Sequence, residues 1–176
     1  MKYLISLLET YASHRYDGED ITQLQHALQC AEWAIREHAS PSMVAAALFH
    51  DIGYLDDVAN GHRRQDRIDD QHEHRAVGML RPFFNEQVFC PVRLHVIAKR
   101  YLCTIDPGYL ESLSEESQTT FVLQGGLLTE RECLEFERDS YHQNAIRLRK
   151  WDDMAKDPTA QTRSIGEIVS YIENLI

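Results

Sequence analysis

The sequence predicts an all-α protein, a helical bundle with a metal site in its core. Apolar residues recur at helical spacing along the chain, and no pair of alternating, strand-like runs is found. A third observation is the almost wholly apolar segment 43–49, which indicates a helix buried on all sides and ends at His50 and Asp51. A buried carboxylate must be paired or bind a cation, and an adjacent histidine can bind the same cation. The pair therefore predicts a metal site; the alternative is that Asp51 caps the following turn and His50 is a satisfied core histidine.

Length and composition indicate one domain spanning 1–176, with 43% hydrophobic and 26% charged residues. The net charge of −10 argues against a nucleic-acid partner but is compatible with a small anionic ligand held by local cations. No apolar run is long enough to span a membrane, and the first residues do not resemble a signal peptide. We expect a cytoplasmic protein without a membrane partner, either a monomer or a homodimer. Its four cysteines include no Cys-x-x-Cys pair and should be reduced.

The first half of the chain reads as three helices and a long loop. Residues 3–11 carry an apolar stripe, and a polar stretch separates them from a second helix over 21–38, capped by Asp20 or Thr22. Pro41 lies near the first turn of the buried helix. The polar, charged segment 56–71 reads as an exposed loop or lid.

The second half reads as a series of shorter helices separated by proline and glycine. The pattern predicts helices over 72–80, 91–101, 114–123, 129–140, 143–155 and 164–176. Pro82 should end the first of these, and Pro107-Gly108 and Gly125-Gly126 should break the chain further on. Thr129 and Glu132 have the spacing of a capping box.

The candidate metal ligands are distributed over these helices. Four histidines fall one on each of four successive predicted helices, and two aspartates accompany them: His26, His50, Asp51, His72, His95 and Asp152. Helical bundles build metal sites by converging such side chains. Six ligands exceed the need of one metal, so we expect two metals that share a carboxylate, with iron, manganese or zinc suited to the donors. His74 would replace His72 if its helix were rotated.

These residues resemble the HD-domain superfamily of helical metalloproteins, and His72 and His95 resemble its dinuclear subset. The details are similar to the mixed-valent di-iron oxygenases that cleave carbon–phosphorus bonds, whose members act on 2-amino-1-hydroxyethylphosphonate and 1-hydroxy-2-(trimethylammonio)ethylphosphonate. The resemblance covers residues 16–152. It is carried by Tyr16-Asp17-Gly18-Glu19, by Ala46-Ala47-Leu48-Phe49-His50-Asp51-Ile52-Gly53, by His95-x-x-x-Lys99 and by Arg149-x-x-Asp152.

The resemblance implies that His26, His50, Asp51 and Asp152 hold one iron, while His72 and His95 hold the other, with Asp51 bridging the Fe(II)/Fe(III) pair. It also implies that Tyr16, assisted by Glu19, occupies an iron position until substrate displaces it. Lys99, Ser117 and Arg149 match the family's phosphonate-binding residues. The implied activity uses O2 to cleave a 1-hydroxyphosphonate into phosphate and a carboxylate such as glycine or glycine betaine.

The spacing of two cations supports these roles independently. Lys99 lies four residues after His95 and Arg149 three before Asp152, so each cation shares a helix face with a candidate ligand. One departure concerns Tyr54, where the aminated-substrate type has histidine. A tyrosine near Glu19 would favour a quaternary ammonium through cation–π contact or fill a smaller pocket for hydroxymethylphosphonate. The ammonium-bearing substrates rank slightly ahead at this point.

Two other function classes compete with the oxygenase. A metal-dependent HD phosphohydrolase would use the same ligands to activate water against a nucleotide or another phosphate ester. A degenerate, nucleotide-binding sensory module is a third alternative, which the intact ligand set disfavours.

Overall fold

The computed structural model describes residues 1–10, 15, 16, 19–59, 69 and 71–173, with backbone alone at 57–59. Within these ranges the regular structure is α-helical, apart from one bridge between Arg15 and Thr22, so the predicted all-α class is confirmed. The helices are α1 Lys2–Thr10, α2 Gln23–Arg36, α3 Pro41–Phe49, α4 Ile52–Ala59, α5 His72–Leu80, α6 Glu86–Ile105, α7 Pro107–Ser112, α8 Glu115–Leu123, α9 Glu130–Arg138, α10 His142–Met154 and α11 Ile165–Ile172. None of these helices combines the length and apolar character that a membrane span requires.

Helix α3 lies at the centre of the bundle. It is buried from Ser42 to Phe49 and packs against α2, α6, α10 and α11. The main core surrounds it, with Trp151 and Leu148 of α10 fully buried. A helix in this position needs apolar residues on every face, which its sequence supplies. Its C-terminal end therefore delivers His50 and Asp51 to the middle of the protein.

Side-chain caps set the start of several helices. The Thr22 hydroxyl accepts a hydrogen bond from the Gln25 N–H, and the Gln25 side chain returns one to the Thr22 N–H, so Thr22 is the cap of α2. Thr129 forms the predicted capping box with Glu132 at the start of α9. Each such cap satisfies backbone donors that a helix leaves without partners in its first turn.

The structure departs from the sequence predictions in three places. Helix α6 begins at Glu86 behind the Asn85 cap and continues through Pro91, which was expected to start it. Pro107 follows the end of α6 as expected, but it also begins α7, which was not predicted and in which its missing N–H costs nothing. The expected loop over 56–71 begins too early, because α4 continues to Ala59. Residues 60–68 and 70, on which the rest of that prediction falls, lie outside the described residues.

Candidate metal centre

Six side chains converge in the core, namely His26, His50, Asp51, His72, His95 and Asp152; we call them the metal cage. The four histidines among them form two pairs. His26 Nε2 lies 3.2 Å from His50 Nε2, and His72 Nε2 lies 3.1 Å from His95 Nε2. All six side chains are at least nine-tenths buried.

Asp51 lies between the two pairs and turns one oxygen toward each. Its Oδ2 is 3.5 Å from His50 Nε2 and 3.8 Å from His26 Nε2. Its Oδ1 is 3.4 Å from His72 Nε2 and 3.7 Å from His95 Nε2. This is the arrangement in which a single carboxylate can bind two cations at once.

Five parts of the fold supply the cage: α2, the turn between α3 and α4, α5, α6 and α10. The close packing of α4 on α5 depends on Gly53. A Cβ at Gly53 would lie 2.2 Å from the His72 carbonyl oxygen and 3.0 Å from the Ala76 nitrogen. Only glycine allows the backbone after Asp51 to approach the helix that carries His72 so closely. The predicted His-Asp-Ile-Gly segment is therefore a packing unit as well as a ligand pair.

Backbone carbonyls fix the orientation of three cage histidines. The Nδ1 atoms of His26, His50 and His95 lie 2.9, 2.9 and 2.6 Å from the carbonyl oxygens of Ala155, Ala47 and Val92. A carbonyl oxygen can only accept, so each Nδ1 carries the proton and donates it. In the neutral ring Nε2 is then the lone-pair atom. His72 Nδ1 instead faces Glu73 Oε2 at 3.7 Å.

The Nε2 lone pairs of His26 and His50 consequently face each other at 3.2 Å, which is repulsive unless a cation lies between them. Burial lowers the pKa of His26, and burial together with His72 and His50 lowers the pKa of His95 to about 3, so these rings stay neutral. Burial opposes ionisation of Asp51 but His50 and His72 outweigh it, and its pKa lies well below the usual value.

The Asp152 carboxylate also indicates that the cage can hold a cation. Its Oδ1 is buried and has no hydrogen-bond partner, yet it lies 3.4 Å from His26 Nε2. Ligands about 2.1 Å from a metal lie roughly 3.0–3.4 Å apart, which matches the shorter spacings in the cage. The residues present therefore fit two metal ions, with Asp51 between them.

Two tyrosines stack on cage histidines. The Tyr16 ring lies 4.0 Å from the His26 ring with an interplanar angle of 18°, and the Tyr54 ring lies 4.1 Å from that of His72 at 15°. Burial and the carboxylates of Asp152 and Asp51 raise the pKa of Tyr16 well above its usual value. Both rings line a pocket whose walls also include the cage residues Asp51, His72, His95 and Asp152.

The wall of this pocket facing the cage is cationic, and we call it the cationic wall. It contains Lys99 and Arg149 with the hydroxyls of Ser117 and Thr120. Lys99 Nζ donates to Thr120 Oγ1 at 2.8 Å. Burial and the neighbouring Arg149 lower the pKa of Lys99 to about 7. Two buried basic side chains beside the cage can bind an anion even though the net charge of the protein is −10.

Arg149 connects the cationic wall to the cage. Its Nη1 donates to Asp152 Oδ2 at 2.8 Å, its Nη2 to Ser117 Oγ at 3.4 Å, and its Nε to Asp153 Oδ2 at 3.2 Å. The coulombic attraction of Asp152 and Asp153 overcomes the effect of burial and raises its pKa. Arg149 therefore holds Asp152 in place while it remains at the pocket surface.

Lys156 also belongs to the cationic wall, and the sequence reading missed it. Its Nζ donates to Glu19 Oε1 at 2.8 Å, to Ser114 Oγ at 2.8 Å and to Ser117 Oγ at 3.0 Å. Lys156 lines the pocket, whereas the residues that line it do not include Glu19. Lys156 follows Asp152 by four residues, the same spacing that identified Lys99, but α10 ends before it and the spacing alone was ambiguous.

The structure also shows where His74 and Cys30 lie relative to the cage. His74, the alternative to His72, has a side chain that is 62% exposed and faces Glu73 rather than the cage. The buried Cys30 thiol, which the sequence marked only as reduced, lies 3.6 Å from His26 Nε2. Its pKa is raised by burial and by Asp152 and Asp51, which makes it a neutral neighbour of the cage.

Comparison with known proteins gives two named relatives. Over 98% of its length the chain is 40% identical to a hydroxymethylphosphonate dioxygenase of Gimesia maris, and the match spans 86% of that protein. Over its whole length it is 29% identical to the [1-hydroxy-2-(trimethylamino)ethyl]phosphonate dioxygenase (glycine-betaine-forming) of Leisingera caerulea, 90% of which is covered. An uncharacterised protein of Acanthamoeba polyphaga mimivirus is 31% identical over 87% of the chain and 71% of its own length. No protein-family model matches the chain.

Proposed function

The chain belongs to the phosphonate dioxygenases of the HD-oxygenase type, and from that premise we propose that it is a di-iron enzyme that uses O2 to cleave the carbon–phosphorus bond of hydroxymethylphosphonate. Hydroxymethylphosphonate and O2 would give formate, phosphate and a proton. The products glycine and glycine betaine would arise only from the ammonium-bearing substrates that the sequence reading ranked ahead.

The observation that carries the proposal is the division of the cage by Asp51. His72, His95 and Asp51 Oδ1 form a set of two histidines and one carboxylate, which is the donor set of non-heme Fe(II) oxygenases that keep positions open for O2 and substrate. His26, His50, Asp51 and Asp152 form a fuller set for the second ion. Bound iron would supply the redox chemistry that O2 requires.

The cationic wall supports a phosphonate as the bound anion. Lys99 and Arg149 offer charge-assisted donors within one pocket, and Ser117 adds a hydroxyl. Their fixed positions would orient the substrate so that its carbinol carbon lies toward the cage. The residues of the chain therefore bind and orient the substrate and balance its charge.

Tyr16 is proposed to guard the cage before substrate binds. Its ring already lies parallel to that of His26, within reach of the fuller half of the cage. A phenol whose pKa is raised by burial stays neutral without a metal, whereas a bound cation favours the phenolate. Tyr16→Phe should therefore leave substrate binding largely intact and accelerate loss of the mixed-valent Fe(II)/Fe(III) signal in air without substrate, measured by electron paramagnetic resonance.

Hydroxymethylphosphonate is the proposed substrate for two reasons. The relative that acts on it shares 40% identity with the chain, against 29% for the relative that acts on the trimethylated compound. Tyr54 also stacks on His72 beside the cage, where it reduces the space for a group on C2. Both considerations favour the smaller substrate over the ammonium-bearing ones.

The test is phosphate release by purified, iron-loaded protein from hydroxymethylphosphonate with and without O2. We expect about two iron atoms per chain and a mixed-valent paramagnetic signal. Phosphate and formate should appear in equal amounts, and only when O2 is present. Oxygen-independent hydrolysis of phosphate esters would instead indicate the phosphohydrolase and contradict the proposal.

A further inference from the structure

Lys156 lies where three parts of the chain meet beside the cage. It follows the end of α10, contacts Ser114 and Ser117 at the start of α8, and reaches Glu19 on the segment before α2. A lysine ammonium has three N–H donors, and these three acceptors use all of them. The Lys156 side chain is only 13% exposed and its Nζ lies 5.8 Å from the centre of the Tyr16 ring.

This pairing determines what Glu19 can offer a substrate. A carboxylate at the pocket would attract a substrate ammonium, but the Glu19 carboxylate is 2.8 Å from Lys156 Nζ and its charge is offset. Glu116, a carboxylate outside the cage that lines the same pocket, also has an interaction partner. The carboxylate of Glu19 is therefore compensated before a substrate arrives.

The basic side chains of the pocket leave this offset in place. Lys156 stands with Lys99 and Arg149 along the cationic wall, where the charges of Lys156 and Glu19 offset each other. An ammonium that enters the pocket therefore loses water without gaining the Glu19 carboxylate as a partner, which disfavours it relative to a phosphonate that carries no ammonium.

We propose that Lys156 is a specificity-determining residue: by neutralising the Glu19 carboxylate, it selects 1-hydroxyphosphonates that carry no ammonium on C2. The inference rests on the proposed function and deepens it. It predicts that removal of the Lys156 charge exposes Glu19 and turns a neutral position into one that attracts an ammonium.

The experiment compares wild type with Lys156→Met, which keeps the length of the side chain and removes its charge. Binding of hydroxymethylphosphonate and 2-amino-1-hydroxyethylphosphonate to anaerobic, iron-loaded protein is measured by calorimetry, and phosphate release is measured in air. We expect the ratio of the two affinities to shift toward the aminated compound by about tenfold or more. Lys150→Met is the matched control, because Lys150 is exposed on α10, and it should leave the ratio unchanged.

Two double variants test whether Glu19 causes the improved binding of the aminated compound. Lys156→Met combined with Glu19→Gln should lose the improved binding of the aminated compound, whereas Lys156→Met combined with Glu116→Gln should keep it. Lys156→Arg retains the charge and should retain the selectivity of the wild type. Lys156→Gln, which can still bond to both serines, replaces Lys156→Met if that variant does not fold.

The outcomes separate this inference from the proposed function. If Lys156→Met weakens the binding of both compounds equally, the specificity role is wrong while the dioxygenase assignment stands. If the wild type binds the aminated compound as tightly as hydroxymethylphosphonate, the specificity role is again wrong. If the wild type binds neither phosphonate, both proposals fail, because the calorimetric readout does not require turnover.

Discussion

At the scale of single residues, Asp51 is the side chain on which the two halves of the cage depend. Its two oxygens face different histidine pairs. We expect Asp51→Asn to lower the iron content from about two to below about one atom per chain, because both ions lose an anionic ligand. His95→Ala should retain about one, because the fuller half keeps its ligands.

Metal analysis of the purified variants measures this difference. Asp106→Asn serves as the control, since Asp106 is an exposed cap of α7 and asparagine caps equally well. Equal iron contents in the Asp51 and His95 variants would contradict a bridging role for Asp51.

Lys99 is a residue whose function costs stability. Its pKa falls from 10.5 unfolded to about 7 in the fold. As the pH falls from 10.5 to 7 the unfolded chain binds a proton that the folded chain does not, so this group progressively destabilises the fold. Lys99→Met should therefore raise the free energy of unfolding at pH 7 by about 1–3 kcal/mol, while phosphonate binding is lost.

Urea unfolding of wild type and Lys99→Met at pH 7 and pH 9.5 checks the sign. The increase in the free energy of unfolding caused by Lys99→Met should be smaller at pH 9.5, because the neutral, buried Lys99 destabilises the wild type less at that pH. A gain that is the same at both values would show that packing, not the buried charge, is responsible.

At the scale of helices, Gly53 sets the distance between α4 and α5. Gly53→Ala should reduce the free energy of unfolding by about 2–4 kcal/mol, because the new methyl group would meet the His72 carbonyl and Ala76 nitrogen rather than a flexible side chain. It should also weaken metal binding, since the backbone that has to move carries His72.

Gly78→Ala on α5 is the matched control for this variant. A Cβ at Gly78 meets nothing within 4 Å, so alanine should stabilise the helix by about 0.5–1 kcal/mol. Thermal unfolding and metal titration of both variants compare the two glycines. Similar changes in stability and metal binding for the two variants would mean that the close contact at Gly53 does not set the distance between α4 and α5.

The helices themselves were predictable where a cap and an apolar stripe coincide. Thr22 and Thr129 mark the starts of α2 and α9 in the sequence and in the structure. The pattern failed at Pro91, because a helix can lose one backbone hydrogen bond when its flanking residues, such as Val88 and Val92, are buried. Proline thus gave the right boundary at Pro82 and at Pro107, and the wrong one at Pro91.

At the scale of the whole molecule, the cage brings together residues that lie far apart in the sequence. Its convergence was predictable because the ligands are distributed over several helices of a bundle, with His50 and Asp51 together at the end of α3. Contacts such as Lys156 with Glu19 were not, because they join a residue beyond the end of α10 to one before α2 and leave no periodic trace. Sequence pattern therefore gives the ligands of such a site more readily than the residues that tune it.

The same convergence makes metal binding a property of the entire bundle. Five parts of the fold meet at the cage, so ions bound there favour the folded chain over the unfolded one. Free metal at about 100 times its dissociation constant should add about 2.7 kcal/mol of stability. For a chain of this size that corresponds to a rise in melting temperature of about 5–10 °C.

Calorimetric melting of iron-loaded protein, chelated protein and chelated protein with iron restored measures this coupling. The melting temperature should fall on chelation and recover on iron addition, and chelation should have a much smaller effect in Asp51→Asn. An equal loss in that variant would place the stabilising ions somewhere other than the cage. Because α3 ends at the cage and forms the centre of the core, we expect the unfolding of the cage and of the core to be one cooperative event.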